Sequence, residues 1–310
     1  AIVGRLAEPS LAPDGPAGGL AVALHGHEGP VWTAIVTADG RRLVTGGADH
    51  TARLWDTSAR DPSANALVLR GHDDEVVALA RSGDGRWLFT GSKDATVRRW
   101  DLQADRPERD ARVYRGHDSE IGQVAVSPDG RWLLAAGHRP AVHVWPLSAR
   151  DEKPPKALSA HRGDVLAAGF SPDGKWLVSA GADSLVCLWQ MGDDGPTEKP
   201  LRLGGHDGAV TALAFSKDGR WLVTSSFDRT AMVCDLTAAH PTGEPLVLQG
   251  LAGEAMAMAL TPDARFLATA GDDHSVRLWD LQLEKQIELA RRTAGRELSE
   301  EESRRYRVRE

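Results

Sequence analysis

Residues 71–101 read GHDDEVVALARSGDGRWLFTGSKDATVRRWD, opening on Gly71-His72, turning at Asp84-Gly85-Arg86 and closing on Trp100-Asp101. An Asp-Gly between two apolar-alternating runs is a hairpin signal, and period-two alternation is the pattern of a strand with one face buried. Alternation of this kind is clearest from Val31 to Val36 and from Val210 to Phe215. A third strand, Thr96 to Trp100, follows a short turn ending in Asp94, and a fourth, Ala66 to Arg70, precedes the Gly-His pair. The unit is therefore four antiparallel strands.

The unit recurs. Gly-His pairs stand at Gly26-His27, Gly71-His72, Gly116-His117 and Gly205-His206, with Ala160-His161 between the last two, so the histidines are 44 or 45 residues apart. A second ladder with the same interval runs through Trp55, Trp100, Trp145, Trp189, Cys234 and Trp279. A third is the turn Asp39-Gly40-Arg41, Asp84-Gly85-Arg86, Asp129-Gly130-Arg131, Asp173-Gly174-Lys175 and Asp218-Gly219-Arg220, which decays to Asp263-Ala264-Arg265 in the sixth copy. Trp87, Trp132, Trp176 and Trp221 follow that turn, which leaves Trp32 as the one tryptophan outside the ladders. Four strands per period cannot bury their own faces, so the copies are expected to stack around an axis as an all-β propeller.

These coincident motifs resemble the WD-repeat family over roughly residues 20–280. The resemblance implies a buried network of His, Ser or Thr, Asp and Trp in each blade. Complete sets stand at His27, Thr45, Asp49, Trp55; at His72, Thr90, Asp94, Trp100; and at His161, Ser179, Asp183, Trp189. The third repeat departs at Ala135 and Arg139, the fifth at Cys234 and the sixth at Leu251, and these blades are expected to rely more on packing. Six repeats are visible, whereas the family most often has seven blades. Gly19 to Leu24 reads as an outer strand completing the last blade, and Ile2 to Leu6 as a remnant of another. The domain reading is a linker or remnant strand over 1–18, the propeller over 19–280 and a helical tail over 281–310.

In that tail the period changes to about 3.6 after Trp279, and Ser299 with Glu302 has capping-box spacing ahead of Arg304, Arg305, Arg307 and Arg309. The tail resembles those that follow the propellers of large bacterial multidomain signalling proteins, attached to NTPase or serine/threonine-kinase modules. It also reads as a simple packing cap. The chain opens on Ala1 rather than Met, which suggests a piece of something longer.

Composition narrows the function classes. The net charge of -7 argues against nucleic acid, whose binding needs a basic face. No run approaches the 18 or so apolar residues of a membrane span, and two cysteines, Cys187 and Cys234, make no disulfide framework, so a reducing, cytoplasmic setting is expected. No phosphate-binding loop, nucleophile elbow, CxxC or HExxH occurs, and Gly192-Asp193-Asp194-Gly195 is too short for a calcium loop and reads as a connector. The expectation is a non-enzyme with no cofactor and no metal.

What remains is a surface. By resemblance, WD-repeat proteins use the face carrying the loops after each Gly-His and the turns around each repeat Asp. Those loops are acidic: Glu28, Asp73, Asp74, Glu75, Asp118, Glu120, Asp164, Asp207 and Glu254 against Arg162. The candidate partner contacts are Phe227, Trp32, Lys93, His138, Arg139 and Asp272. Phe227 reads either as an interface anchor or as a residue folded onto a neighbouring blade, and Trp32 either as an anchor or as inter-blade packing. The expected role is a protein or peptide scaffold or sensor, whose partners include other domains of the same full-length protein. A propeller binding a small ligand in its central channel, and a spacer that only holds neighbouring domains, are the competing readings.

Overall fold

A computed structural model of the chain describes residues 2–4, 21–37, 39–109, 111–147, 154–237, 245–251 and 253–281. The expected helical tail, apart from Leu281, lies outside the described residues, as does most of the segment 1–18. Two compact units divide the chain, Ala1–Val124 and Ala125–Glu310.

The described residues are all-β. In chain order, the first sheet is Val31–Val36, Arg42–Gly47, Ala52–Asp56 and Leu67–Leu69; the second is Val76–Arg81, Trp87–Ser92, Val97–Asp101 and Arg112–Tyr114. The third is Ile121–Val126, Trp132–Gly137, Arg139–Pro146 and Lys156–Ser159; the fourth is Val165–Phe170, Trp176–Gly181, Val186–Gly192 and Leu201–Leu203. The fifth is Val210–Phe215, Trp221–Ser226, Thr230–Asp235 and Leu246–Gln249, and the sixth has three strands, Ala255–Leu260, Phe266–Gly271 and Val276–Asp280. A strand does form within Gly19–Leu24, at Ala21–Ala23, but its antiparallel partner is Ile2–Gly4, in register from Ile2 opposite Ala23 to Gly4 opposite Ala21. The two form a two-stranded sheet.

The second strand of each sheet shows why it ends in small residues, as in RLVTGG and WLFTGS. Trp87–Ser92 is buried at every position after the tryptophan, so both of its faces are covered. A methyl placed on Gly46 would lie 2.8 Å from Val76 Cγ1 of the next sheet, and one on Gly91 would lie 2.5 Å from Val124 Cγ2. Glycine is what lets the following strand approach. Leu88, Val44, Val76 and Trp100 close one such inter-sheet layer, and Val178, Leu188, Val210 and Leu222 close another in the second unit.

In five of the sheets the first strand carries a bulge where it meets the second: the register slips between Val31 and Thr33, Val76 and Ala78, Val165 and Ala167, Val210 and Ala212, and Ala255 and Ala257. The skipped residues are Trp32, Val77, Leu166, Thr211 and Met256, and a bulge re-aims the side chain it leaves unpaired.

The Asp-Gly turns are held by an older neighbour in the sequence. In the second sheet the Ser82 hydroxyl donates to Asp84 Oδ1 and accepts from Trp87 N at 2.9 Å, while Arg86 N donates to Asp84 Oδ1 at 3.0 Å. Thr37, Ser127, Ser171, Ser216 and Thr261 bond the carboxylate of the corresponding Asp. The turn glycines have φ from +68° to +74°, and Ala264 adopts +55° in the decayed copy. The segment read as a connector, Gly192-Asp193-Asp194-Gly195, is instead a hairpin: Val186–Gly192 pairs with Gly195–Pro196. Arg131 holds its tip through Asp193, and a methyl on Gly195 would lie 2.9 Å from the Trp132 ring.

These two kinds of glycine separate backbone strain from crowding. Gly130, at φ +71° with open space around it, should cost about 1 kcal/mol when changed to Ala, from the left-handed backbone alone. Gly195→Ala combines φ +102° with the Trp132 contact and should cost clearly more. Chemical denaturation of the two variants checks the order, and equal losses would refute it.

Candidate functional site

The loops that carry the candidate contacts are sewn to the sheets by a directional chain of hydrogen bonds. In the first sheet Trp55 Nε1 donates to Thr45 Oγ1 at 2.8 Å, Thr45 Oγ1 meets His27 Nε2 at 2.7 Å, and His27 Nδ1 lies 2.9 Å from Asp49 Oδ1. A carboxylate can only accept, so Nδ1 donates, and a neutral imidazole then accepts the threonine proton at Nε2. The chain runs Trp to Thr to His to Asp, each hydroxyl and ring nitrogen accepting from one neighbour and donating to the next. The second sheet repeats it with Trp100 Nε1 to Thr90 Oγ1 at 3.0 Å, Thr90 to His72 at 2.7 Å and His72 to Asp94 at 2.8 Å.

The other sheets depart in distinct ways. In the fourth, Ser179 bonds His161 at 2.6 Å and His161 bonds Asp183 at 2.9 Å, but Trp189 makes no hydrogen bond to Ser179 and instead packs in the core beside Leu177 and Cys187. In the fifth, His206 lies 2.9 Å from Thr224 Oγ1 and 2.8 Å from Asp228 Oδ2, so three members of the set operate with Cys234 in the tryptophan position. The missing indole removes one donor and leaves the bonds of His206 to Thr224 and Asp228 in place. The sixth keeps only Trp279 Nε1 to Thr269 Oγ1, at 3.0 Å. In the third, His117 Nδ1 donates to the Ser119 carbonyl at 2.8 Å, and burial pushes this imidazole below its ordinary value.

The repeat aspartates do more than accept from histidine. Burial alone would raise the Asp49 carboxyl; hydrogen bonds from Thr51, His27 and the Glu28 amide overcome this and hold it at about 2. Asp94, Asp183 and Asp228 are lowered by the same balance. The residue after each is forced left-handed: His50, Ala95, Ser184, Arg229 and His274 have φ between +59° and +66°. The aspartate caps that turn by accepting the amide two residues on, as from Thr51, Thr96, Leu185, Thr230 and Ser275. A two-residue signal, Asp followed at i+2 by Thr or Ser, marks four of these five turns.

Of the six candidate contacts, two meet in the first unit. Trp32 is the bulge residue of the first sheet and is 52% exposed; Lys93 Nζ lies 5.9 Å from its ring centroid and 3.0 Å from Glu75 Oε2. Trp32 is therefore neither buried between sheets nor isolated, but an exposed indole under a neutralised cation. In the second unit, His138 Nδ1 lies 3.1 Å from Asp164 Oδ2, Asp272 Oδ1 accepts the Glu254 amide at 2.7 Å, and Phe227, 37% exposed, begins the turn of the fifth sheet. Arg139 is not in a turn: it opens the third strand of its sheet opposite Gly137, leaving His138 alone at the hairpin tip. With no aspartate there to cap a longer turn, the hairpin tightens.

Both cysteines are free and buried, and burial pushes the Cys187 thiol up to about 11 and that of Cys234 to about 12, which makes them poor nucleophiles.

The repeat family described as WD domain, G-beta repeat matches residues 19–56, 65–101, 109–145, 152–190, 198–235 and 247–280. A stretch of 32 residues is 56% identical to eukaryotic translation initiation factor 3 subunit I of Phaeosphaeria nodorum, covering 10% of this chain and 10% of that protein. The chain thus matches about a tenth of that relative's length, a likeness on the scale of a single repeat.

Two outcomes follow from the hydrogen-bond chain. Thr90→Val keeps the shape but strands the Trp100 Nε1 donor and removes the His72 partner, and should cost about 2–4 kcal/mol by chemical denaturation, from about 1–3 kcal/mol per stranded group. A cost under about 0.5 kcal/mol would show that the chain contributes nothing. Because the folded Asp49 carboxyl sits below its unfolded value near about 4, its stabilisation is present above that pH and is lost as pH falls towards about 2. Native protein should therefore be more stable than Asp49→Asn at pH 6, the gap closing in acid; thermal melts across pH would show it, and a gap that widens in acid would contradict it.

Proposed function

The chain belongs to the WD-repeat family, and from that premise we propose that it is a non-catalytic interaction module that holds a protein or peptide against its turn surface, within a larger bacterial signalling protein of the cytoplasm. WD-repeat domains are in general protein-interaction scaffolds. The observation that carries the site is Trp32: a bulge presents its indole to solvent, with Lys93 over the ring and Glu75 neutralising that cation. An exposed aromatic with a pre-positioned, charge-balanced neighbour loses little freedom on binding and buries a large area. In the second unit an exposed aromatic, Phe227, stands in the turn before Asp228. The buried thiols of Cys187 and Cys234, and the likeness of the tail to those of bacterial multidomain proteins, support the cellular setting.

Affinity capture from lysate of the source organism tests this reading. Trp32→Ala with Lys93→Ala should leave the melting temperature nearly unchanged, since both side chains are partly exposed, and should weaken retention of a partner polypeptide at least about tenfold, the effect of losing an aromatic anchor. Equal retention of that partner by the folded variant would remove this surface from the interaction.

A further inference from the structure

We infer that a pocket on the fifth sheet binds the guanidinium of an arginine carried by a partner polypeptide; the inference rests on the interaction-module reading and gives the chemistry of one of its contacts. The argument comes from the position four residues after each repeat aspartate. In the first sheet it is Arg53, with Nη2 3.5 Å from Asp49 Oδ2. In the second it is Arg98, whose Nη2 donates to the Gly71 carbonyl at 2.5 Å. In the sixth it is Arg277, whose Nη1 donates to Asp273 Oδ2 at 2.6 Å. In the first two sheets the guanidinium lies against the glycine of the Gly-His pair: a methyl on Gly26 or Gly71 would fall 2.6 Å from Arg53 Nη1 or 2.7 Å from Arg98 Nη1. The fourth sheet has Cys187 there, and Arg202 of the adjoining outer strand reaches its thiol.

The fifth sheet alone among these five fills the position with an uncharged side chain and has no arginine on its outer strand, Leu246–Gln249, while Arg229 of the turn lines the same cavity. Met232 stands there, its thioether against Gly205, where a methyl would lie 3.0 Å from both Sδ and Cε. Over it opens a cavity of about 280 Å³ whose lining includes Gly205, Asp207, Asp228, Arg229, Met232 and Gln249. That volume is at the small end for ligand sites and suits one long side chain.

The lining residues carry acceptors that a guanidinium, a donor only, can use. Asp228 already accepts from His206, the Asp207 amide and Thr230, so it contributes charge, as Asp49 does to Arg53. The Asp207 carboxylate, the Gly205 carbonyl and the Gln249 amide oxygen are the acceptors among the lining residues that we assign to the guanidinium. Met232 supplies a soft, adaptable floor for the aliphatic stem. Exposed Arg229 at the rim opposes a cation and sets the affinity low. A planar, forked donor satisfies acceptors on several sides of the pocket, which a lysine ammonium does less well.

The test uses the 310-residue chain labelled with ¹³C at its methionine methyls, which number four. Capped pentapeptides Gly-Gly-Xaa-Gly-Gly with Xaa as Arg, Lys or Gly are titrated while the Met232 signal is followed. The Arg peptide should shift that signal saturably, with the Lys peptide at least about threefold weaker and the Gly peptide without effect. Met232→Arg, which restores the residue type of the first, second and sixth sheets, should abolish binding, read from broadening of the Arg peptide's own signals. Asp207→Asn, an exposed change, should weaken the Arg peptide at least about threefold, and Arg229→Ala should tighten it. Should Met232→Arg not fold, the Asp207 and Arg229 variants decide. Absence of a saturable shift, equal response to all three peptides, or insensitivity to Asp207→Asn would overturn the inference. If capture depends on Trp32 and Lys93 while the Arg peptide leaves Met232 unmoved, the pocket falls and the interaction reading stands; the reverse pattern sinks only the Trp32 surface.

Discussion

The structure depends on a proton-ordered chain that starts at an indole N–H and ends at a carboxylate. In the first two sheets Trp55 and Trp100 feed Thr45 and Thr90, which feed His27 and His72, which feed Asp49 and Asp94. Each member comes from a different part of the sheet: the third strand, the second strand, the loop before the first strand, and the turn between second and third. One buried network therefore fixes both the entering loop and the turn, with Thr45 and Thr90 fully buried at its centre. Such networks stabilise only when every member is satisfied, since a stranded group in a low-dielectric interior costs more than a satisfied one returns.

That constraint explains the turn geometry as well. The carboxylate that ends the chain also accepts the amide two residues on, and so tolerates a left-handed Ala95 or His50 where glycine would be the usual choice. The third sheet shows the converse. With Ala135 and Arg139 in place of the hydroxyl and carboxylate, His117 turns its Nδ1 to a local carbonyl and the hairpin shortens to His138 alone. The loop surface is thus pre-organised where the chain is complete and locally rebuilt where it is not.

The repeat and its four-stranded unit were legible because His, Asp and Trp recur in register and Asp-Gly turns announce themselves, whereas the hydrogen-bond chain came only as an implication of the family resemblance. The misses have physical causes. The tryptophan ladder gave the indole too much weight: Ser179 and His161 bond without Trp189, and His206, Thr224 and Asp228 bond without any indole. The bulge that exposes Trp32 has no residue signature, since Val77, Leu166, Thr211 and Met256 occupy it elsewhere. Pairing of Ala21–Ala23 with Ile2–Gly4, and the hairpin around Asp193, depend on which edges are free and not on local pattern. Two of the acidic loop residues, Glu75 and Asp164, are engaged by Lys93 and His138, which the sequence pattern does not show.

A repeat fold of this kind separates stability from recognition within one motif. The hydrogen-bonded members are buried and interlocked, so changes there are expensive. The residue four after the aspartate lies just outside the chain: Arg53 adds a charge to a carboxylate that is already fully bonded, Arg277 donates to the second oxygen of Asp273, and Arg98 turns to a backbone carbonyl. Replacing that residue by Met232 leaves every hydrogen bond from His206 and Thr230 to Asp228 in place. The position is therefore free to vary among copies while the frame that holds it does not, and the fifth copy, with no arginine at that position, keeps the aspartate that meets one in the first and sixth copies.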